Sequence, residues 1–182
     1  MSSRTGSGRT GRRRTSSRVV VLSVLLAGLV TAGGQGTSSA ADAPATRTGA
    51  TASAASAAVV ERRAYAAEVL RLLNAERRRV GLRPLVYDGC AATFANRQNA
   101  VIAGRARLSH QDLRPVLRHC RARGAGENVA YGSVTPGRIM QMWMASRGHR
   151  ANILRASYTH VAISAVKDSR GRWYATQVFL TR

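Results

Sequence analysis

The chain is 182 residues long and carries 29 Lys and Arg against 8 Asp and Glu, a formal charge of +21. Such an excess draws polyanions, whether anionic cell-wall polymers such as teichoic acids, lipid head groups or nucleic acid. Lys167 is the only lysine, as arginine codon bias would give, and the arginines are scattered with no interleaved aromatic platform, which argues against nucleic acid.

Residues 1–18 are Ser, Gly, Thr and Arg-rich, an apolar run Val19–Val30 follows, and small residues lead to Ala41. A basic front, a short apolar middle and a small-residue exit predict a secretory signal peptide over 1–41, cleaved after Ala41 or nearby. The apolar run is shorter than the ~20 residues of a membrane span. The Arg12-Arg13 pair is a weak twin-arginine signal, so the general export route is preferred. Residues 42–58 are mostly Ala, Thr, Ser and Gly, cannot bury enough apolar surface to offset chain entropy, and read as a flexible linker. Residues 59–182 are of a size for one domain.

Cys90 and Cys120 both fall in the exported part, where an oxidising compartment favours a bridge over two separate thiols. Closing that loop would stabilise by roughly 3–4 kcal/mol on a chain-entropy basis. Neither cysteine lies in a CxxC or CxxH pattern, which argues against a thiolate metal site.

Along the domain, apolar residues at Val60, Ala64, Ala67, Leu70 (or Leu73) and Val80 predict a first helix ended by Gly81. Asp88 caps a second helix running to about Ala103, with Phe94, Ala95, Val101 and Ile102 inward and Gly104 as its stop. Leu108-Ser109-His110 follows on a connection, and 111–125 read as a short helix and a loop. Thr135-Pro136 opens a further helix, Thr at the N-cap and Pro at the first helical position. Its stripe is Ile139, Met140, Trp143 and Met144, and Gly148 ends it. Two β-rich runs, His160–Val166 and Trp173–Leu180, flank the turn Asp168-Ser169-Arg170-Gly171 and predict an antiparallel hairpin. With a strand near Val129–Tyr131, the whole reads as an α+β layered domain.

Three polar groups stand out at the edges of apolar stretches. Glu127 lies between a flexible glycine and an asparagine able to bond its own backbone, so its carboxylate is held. Gly148-His149 puts an imidazole just past a helix end, and His110 comes from a separate connection. Two imidazoles and a carboxylate are the ligand set of a three-coordinate zinc site with an open water position. Without metal, the same trio can move protons. Ser146 lacks a Gly-x-Ser-x-Gly elbow and reads poorly as a nucleophile, while His119 and His160 read as surface or rim residues.

The spacing of Leu108-Ser109-His110, Gly126-Glu127-Asn128 and Trp143-Met144-Ala145-Ser146-Arg147-Gly148-His149-Arg150-Ala151-Asn152-Ile153-Leu154 resembles the CAP (SCP-like, pathogenesis-related-1) superfamily, in its small secreted bacterial branch. Leu73-Asn74-Ala75-Glu76-Arg77 and Gly81-Leu82-Arg83-Pro84-Leu85 resemble that family's opening stretch, so that the likeness covers nearly all of 66–180. It implies a three-layer α-β-α sandwich around an antiparallel sheet, with a cleft tetrad of two His and two Glu able to hold a divalent metal. Carried over, the tetrad falls on His110, Glu127 and His149, and the second Glu on Ser146. A hydroxyl cannot balance a dication as a carboxylate does. A second departure is Val161-Ala162-Ile163-Ser164-Ala165, where the family has Gly-x-Gly.

The resemblance implies a secreted, extracellular, cell-wall-associated module whose cleft, lined by His110, Glu127, Ser146, His149 and Asn152, takes a small ligand: lipid, peptide or cell-wall fragment. A divalent metal, zinc or calcium, would sit on His110, Glu127 and His149. Two alternatives stay open: a metal-assisted hydrolase of peptide or ester bonds with Glu127 as ligand or general base, and a charged architectural domain coating the wall.

Overall fold

The structure, a computed structural model, describes residues 47–182, with side chains from residue 52 onward. The expected signal peptide lies outside the described residues. The elements run α1 (Arg47–Arg79), β1 (Val86–Tyr87), α2 (Gly89–Arg105), α3 (Arg114–His119), β2 (Gly124–Gly132), α4 (Pro136–Ala145), α5 (Arg147–Ile153), β3 (His160–Lys167) and β4 (Trp173–Thr181).

The four strands form one sheet in the order β1-β3-β4-β2. The expected hairpin is β3 and β4, paired antiparallel from His160 with Leu180 to Lys167 with Trp173. The two-residue β1 pairs parallel to β3, an element too short to leave a periodic signal. Strand β4 is buried from Trp173 to Leu180 because helices cover both faces and strands cover both edges. Its alternation sorts the core. Trp173, Ala175 and Phe179 pack with Tyr65, Val69 and Leu73 of α1 and with Ile139, Met140 and Trp143 of α4. Val178 and Leu180 pack with Ala91, Phe94 and Ala95 of α2 and with Val116 of α3. The result is an α+β sandwich of three layers.

The buried stripe of α1 is Tyr65, Val69, Leu73 and Arg77, spaced by four along one helix face. Of the stripe expected from sequence, Leu73 is buried and Leu70 partly so, whereas Val60, Ala64, Ala67 and Val80 are exposed. An alanine-rich helix offers more than one plausible face, and tertiary packing selects among them. Helix α1 also begins at Arg47, within the segment read as a linker, and residues 52–57 are exposed. Alanine is the strongest helix former, so the segment extends α1 while packing against little.

Two expected stops are displaced. Helix α2 passes Gly104 and ends at Ala106 in the left-handed region, φ 49°. Helix α4 ends at Ala145, and Gly148 lies inside the next helix, α5. The caps at Asp88 and Thr135 are as expected: their side chains accept from the N–H groups of Ala91 and Arg138.

Arg77 is 1% exposed and has no carboxylate partner among the described residues. Its guanidinium instead donates to four carbonyls: Arg83 at 2.9 Å, Ile153 at 2.8 Å, Arg155 at 3.0 Å and Tyr158 at 3.3 Å. Burial lowers its pKa. One side chain thereby ties α1 to the end of α5 and to the connection after it. Asn74 performs the companion task, exchanging bonds with the backbone of Leu85 at 2.8 and 3.0 Å.

Cys90 and Cys120 are bridged, joining the start of α2 to the end of α3. Next to the bridge the Arg182 guanidinium pairs with Asp88 and donates to the carbonyl of Cys120. The last residues are thus fastened to the cap of α2.

Candidate functional site

Among the described residues strand β2 pairs only with β4, which leaves its other edge without a strand partner. Successive side chains on it point to opposite faces. Val129 packs with Ile102 of α2, so Glu127, two residues earlier, shares the α2 face. Ala130 belongs to the cluster of α1 and α4, and Asn128 shares that face. The polar groups therefore reach the site from both sides of the free edge.

On the α2 side, the His110 ring donates from Nδ1 to Oε1 of Glu127 at 2.8 Å. A carboxylate only accepts, so Nδ1 carries the proton, and in the neutral form of the ring Nε2 is left as an acceptor. Gln111 supplies the other two bonds to this carboxylate, its backbone N–H to Oε1 at 3.2 Å and its Nε2 to Oε2 at 2.5 Å. The Glu127 side chain is 2% exposed and that of His110 is 60% exposed. A buried, fully engaged carboxylate thus holds an open imidazole in one orientation. The Gln98 side chain, bonded to the carbonyl of Ser109, steadies the connection that carries His110.

On the other side, Asn128 donates to the carbonyl of His149 at 3.1 Å and to Oε1 of Gln177 at 2.9 Å. Asn152 donates to the carbonyl of Glu127 at 3.1 Å and to Oδ1 of Asn128 at 2.9 Å. These amides lash the seven-residue α5 to β2, which positions His149. His149 is half-buried. Burial, with the nearby charge of His110, holds its pKa below the ordinary 6.5 and keeps it neutral.

The structure thus brings His110, Glu127, His149 and Asn152 to one edge. Ser146 occupies the joint between α4 and α5, and its hydroxyl makes no cap bond to the helix it opens. His119 instead packs edge-on against Phe94, and His160 opens β3 beside Thr159. Gln111, Asn128 and Gln177 join the site beyond the residues expected from sequence. Gln177 carried a signal, since it is a polar residue at an inward position of an otherwise apolar strand. Gln111 carried none beyond its place next to His110.

The trio does not make a compact three-ligand metal site. Among the described residues, the group of three His, Cys, Asp or Glu donors within 4.8 Å of one another is Asp88, Cys90 and Cys120. Both sulfurs of that group are consumed by the disulfide. At the β2 edge, Glu127 is turned toward His110 and Gln111, so it supports an imidazole where a direct ligand was expected.

The position of Gly126 is a matter of space. A Cβ there would run into the hydroxyl of Tyr158 and come within 3.1 Å of Asn152 Oδ1. The glycine permits the close approach of α5 and its following loop to β2, where sequence suggested local flexibility.

A cavity of about 550 Å3 lies elsewhere, between α1, the start of α4 and the β3–β4 end, lined by Tyr65, Val134 and Trp173 among others. Neither imidazole of the site lines it.

Comparison with known proteins agrees with this architecture. The uncharacterized protein YkwD of Bacillus subtilis is 34% identical over 157 residues, which cover 82% of this chain and 58% of that one. An extracellular SCP-domain protein of Bacillus anthracis superposes with a TM-score of 0.59 at 26% identity, over 66% of this chain and 41% of the other. A cysteine-rich secretory protein of Staphylococcus aureus shares the fold with a TM-score of 0.58 at 20% identity, over 66% and 39%. The chain spans less than two thirds of the length of each of these relatives. Residues 70–179 match the cysteine-rich secretory protein (CAP) family, and this chain belongs to that family.

Proposed function

We propose that the domain is an extracellular binding module that takes a small ligand at the β2 edge between His110 and His149. The observation that carries this reading is the His110–Glu127 pair: a buried carboxylate orients an exposed imidazole and leaves its Nε2 free to accept. The neutral His149 supplies a second imidazole, and Asn152 fixes the wall between them. A ligand with hydrogen-bond donors, such as a peptide or a cell-wall fragment, suits this pair better than a bare hydrocarbon chain. A lipid would need its polar head there.

Hydrolysis has less support. Glu127 already accepts three hydrogen bonds, so it is poorly placed to take a proton from water. The extracellular Bacillus anthracis relative supports placement outside the cell, and the positive charge of the chain is what favours wall association.

A divalent ion is a second reading, favoured by the carboxylate behind His110, the support that metal-binding histidines commonly have. Two imidazoles suit zinc, which takes nitrogen ligands, better than calcium, which takes oxygen. If bound, zinc would supply Lewis acidity at His110 and His149.

The test is a thermal-shift and calorimetric panel of peptides, cell-wall muropeptides, fatty acids and zinc chloride, run with the parent, His110→Ala and His149→Ala. The expected result is one class that raises the parent's Tm and loses at least tenfold in affinity in both variants. Equal responses by parent and variants across the panel would sink the proposal. Chelator-sensitive cleavage of any panel member by the parent would favour the hydrolase instead.

A further inference from the structure

We propose that a niche between α2 and α3, remote in sequence from the His149 helix, is a docking site for a base-free phosphodiester polymer of the polyol phosphate type. Charge alone, as read along the chain, looks scattered; the fold sorts it. The seven described carboxylates are each paired: Glu61 with Lys167, Glu68 with Arg71, Glu76 with Arg79, Asp88 with Arg182, Asp112 with Arg114, Glu127 with His110 and Asp168 with Arg172. What remains for a partner is therefore arginine. Helices α2 and α3, like α4 and α5, contain no acid, and what sets the first pair apart is the niche between them.

A cavity of about 470 Å3 opens between these two helices, lined by Thr93, Phe94, Arg97, Pro115, Arg118 and His119. Arg97 lies over the Phe94 ring at 5.8 Å, and His119 meets the same ring edge-on at 5.8 Å. Arg97, Arg118 and His119 are exposed, and among the described residues neither arginine has a carboxylate within salt-bridge distance. The nearest acid by its influence is Asp112, whose carboxylate Arg118 helps to hold ionised, and that group is already bonded to Arg114. Stacking on Phe94 holds the Arg97 guanidinium in place before any ligand arrives, which lowers the entropy lost on binding. Planar guanidinium groups match phosphate oxygens in pairs. Arg121 and Arg123, two and four residues beyond His119, are also exposed, Arg123 donating to the carbonyl of Arg182.

The chemistry of the niche selects among polyanions. Nucleic acid without sequence readout relies on aromatic faces for its bases. The one Phe, Tyr or Trp ring here, Phe94, is 7% exposed and already covered by Arg97 and His119, and the His119 imidazole is turned edge-on to it. Firm bilayer binding adds apolar insertion to charge attraction, and α2 and α3 present no exposed large hydrophobic residue. A polymer of phosphodiesters joined by small polyols asks for neither.

The experiment titrates the full chain into a fluorescently labelled glycerol phosphate oligomer and follows anisotropy at low and moderate salt. The parent should bind with an affinity that falls steeply with salt, about one logarithmic unit per logarithmic unit for each phosphate engaged. Arg97→Gln/Arg118→Gln should bind at least tenfold more weakly with an unchanged Tm. Arg62→Gln/Arg63→Gln, which removes the same charge from exposed positions on α1, should change affinity by less than threefold. Equal weakening by the two double variants would overturn the proposal in favour of net charge alone. It would likewise be overturned if a single-stranded oligonucleotide of equal charge, or vesicles rich in anionic lipid, competed as well as the unlabelled oligomer. Binding at the β2 edge is untouched by these substitutions, so this inference and the ligand site fail separately.

Discussion

Glu127 and His110, 17 residues apart in sequence, form a carboxylate–imidazole pair at 2.8 Å in which the acid is buried and the base is open to solvent. Their exposures set an order of consequences. Glu127→Gln replaces an acceptor that serves three donors with an amide that must donate from one side, leaving buried groups unpaired. A loss of about 1–3 kcal/mol is expected. His110→Ala removes the exposed member and leaves Glu127 still bonded to Gln111, so it should cost less than Glu127→Gln. Urea denaturation of both variants checks the order. A larger loss for His110→Ala would mean that the imidazole braces the fold and is not simply presented by it.

The depressed pKa of His149 ties stability to pH. Burial and the neighbouring His110 disfavour its charged form in the folded protein, whereas the unfolded chain titrates near 6.5. Between those two values the unfolded state holds more protons, so stability rises with pH through the region just below 6.5 and is lost as acid is added. His149→Gln cannot take up that proton. The parent should therefore lose more Tm than His149→Gln between pH 7.5 and pH 5, measured with chelator present. Parallel curves for the two proteins would contradict the half-buried, neutral state assigned to this imidazole.

Much of this arrangement is legible in the chain. Thr135-Pro136, the cap at Asp88 and the alternating runs around Asp168–Gly171 are local signals, and local geometry follows them. The convergence of His110, Glu127 and His149 was readable only through spacing that resembles a family. Longer-range choices were not legible. Periodicity could not tell which face of an alanine-rich helix packs, because Val60 and Tyr65 are both plausible anchors and only the sheet decides for Tyr65. Nor could it place Arg77 in the core, since a buried arginine is tolerated only where four carbonyls from distant segments gather around it. Gly148 read as a stop, yet the chain breaks its helix at Ser146 instead, where the backbone turns extended at φ −89° and ψ 122°.

Asp88 links the cap of α2 to the C-terminal residue. Burial raises its pKa, but the Ala91 N–H, the Arg182 guanidinium and the charge of His160 together outweigh this and bring it below 3.8. A carboxylate depressed in the folded state stabilises above its unfolded pKa, and that contribution disappears as pH falls through the folded value. Asp88→Asn keeps a cap acceptor while losing the ion pair, so about 1 kcal/mol or more should be lost at pH 7. The gap between variant and parent should narrow at a pH below 3.8, as the folded carboxylate takes up its proton. Chemical denaturation at both pH values tests this, and a gap that persisted in acid would point to packing in place of charge.

The Cys90–Cys120 bridge closes a loop of sequence separation 30. On the chain-entropy account its removal should cost about 3–4 kcal/mol. Both cysteines pack with the α2–α3 cluster, so Cys90→Ala/Cys120→Ala adds a small packing loss. Reduction of the parent isolates the cross-link: a fall in Tm on adding reductant that is absent in the double variant would assign the stabilisation to the bridge.

Gly126 offers the sharpest test of how α5 is seated. Its missing side chain leaves room for the Tyr158 hydroxyl, and Tyr158 cannot swing aside because it is 3% exposed and stacked on Phe179 at 5.3 Å. Gly126→Ala must therefore push β2 and the segment after α5 apart, at a cost of about 1–3 kcal/mol. The strain also falls on Asn152, whose Oδ1 lies 3.1 Å from the added carbon and whose amide holds the carbonyl of Glu127. His149 should move with α5, so the variant should lose ligand or zinc affinity beyond what its stability loss explains. Adding Tyr158→Phe removes the obstructing hydroxyl and should restore part of both. Independent, additive losses in the double variant would show that the two residues do not share this contact.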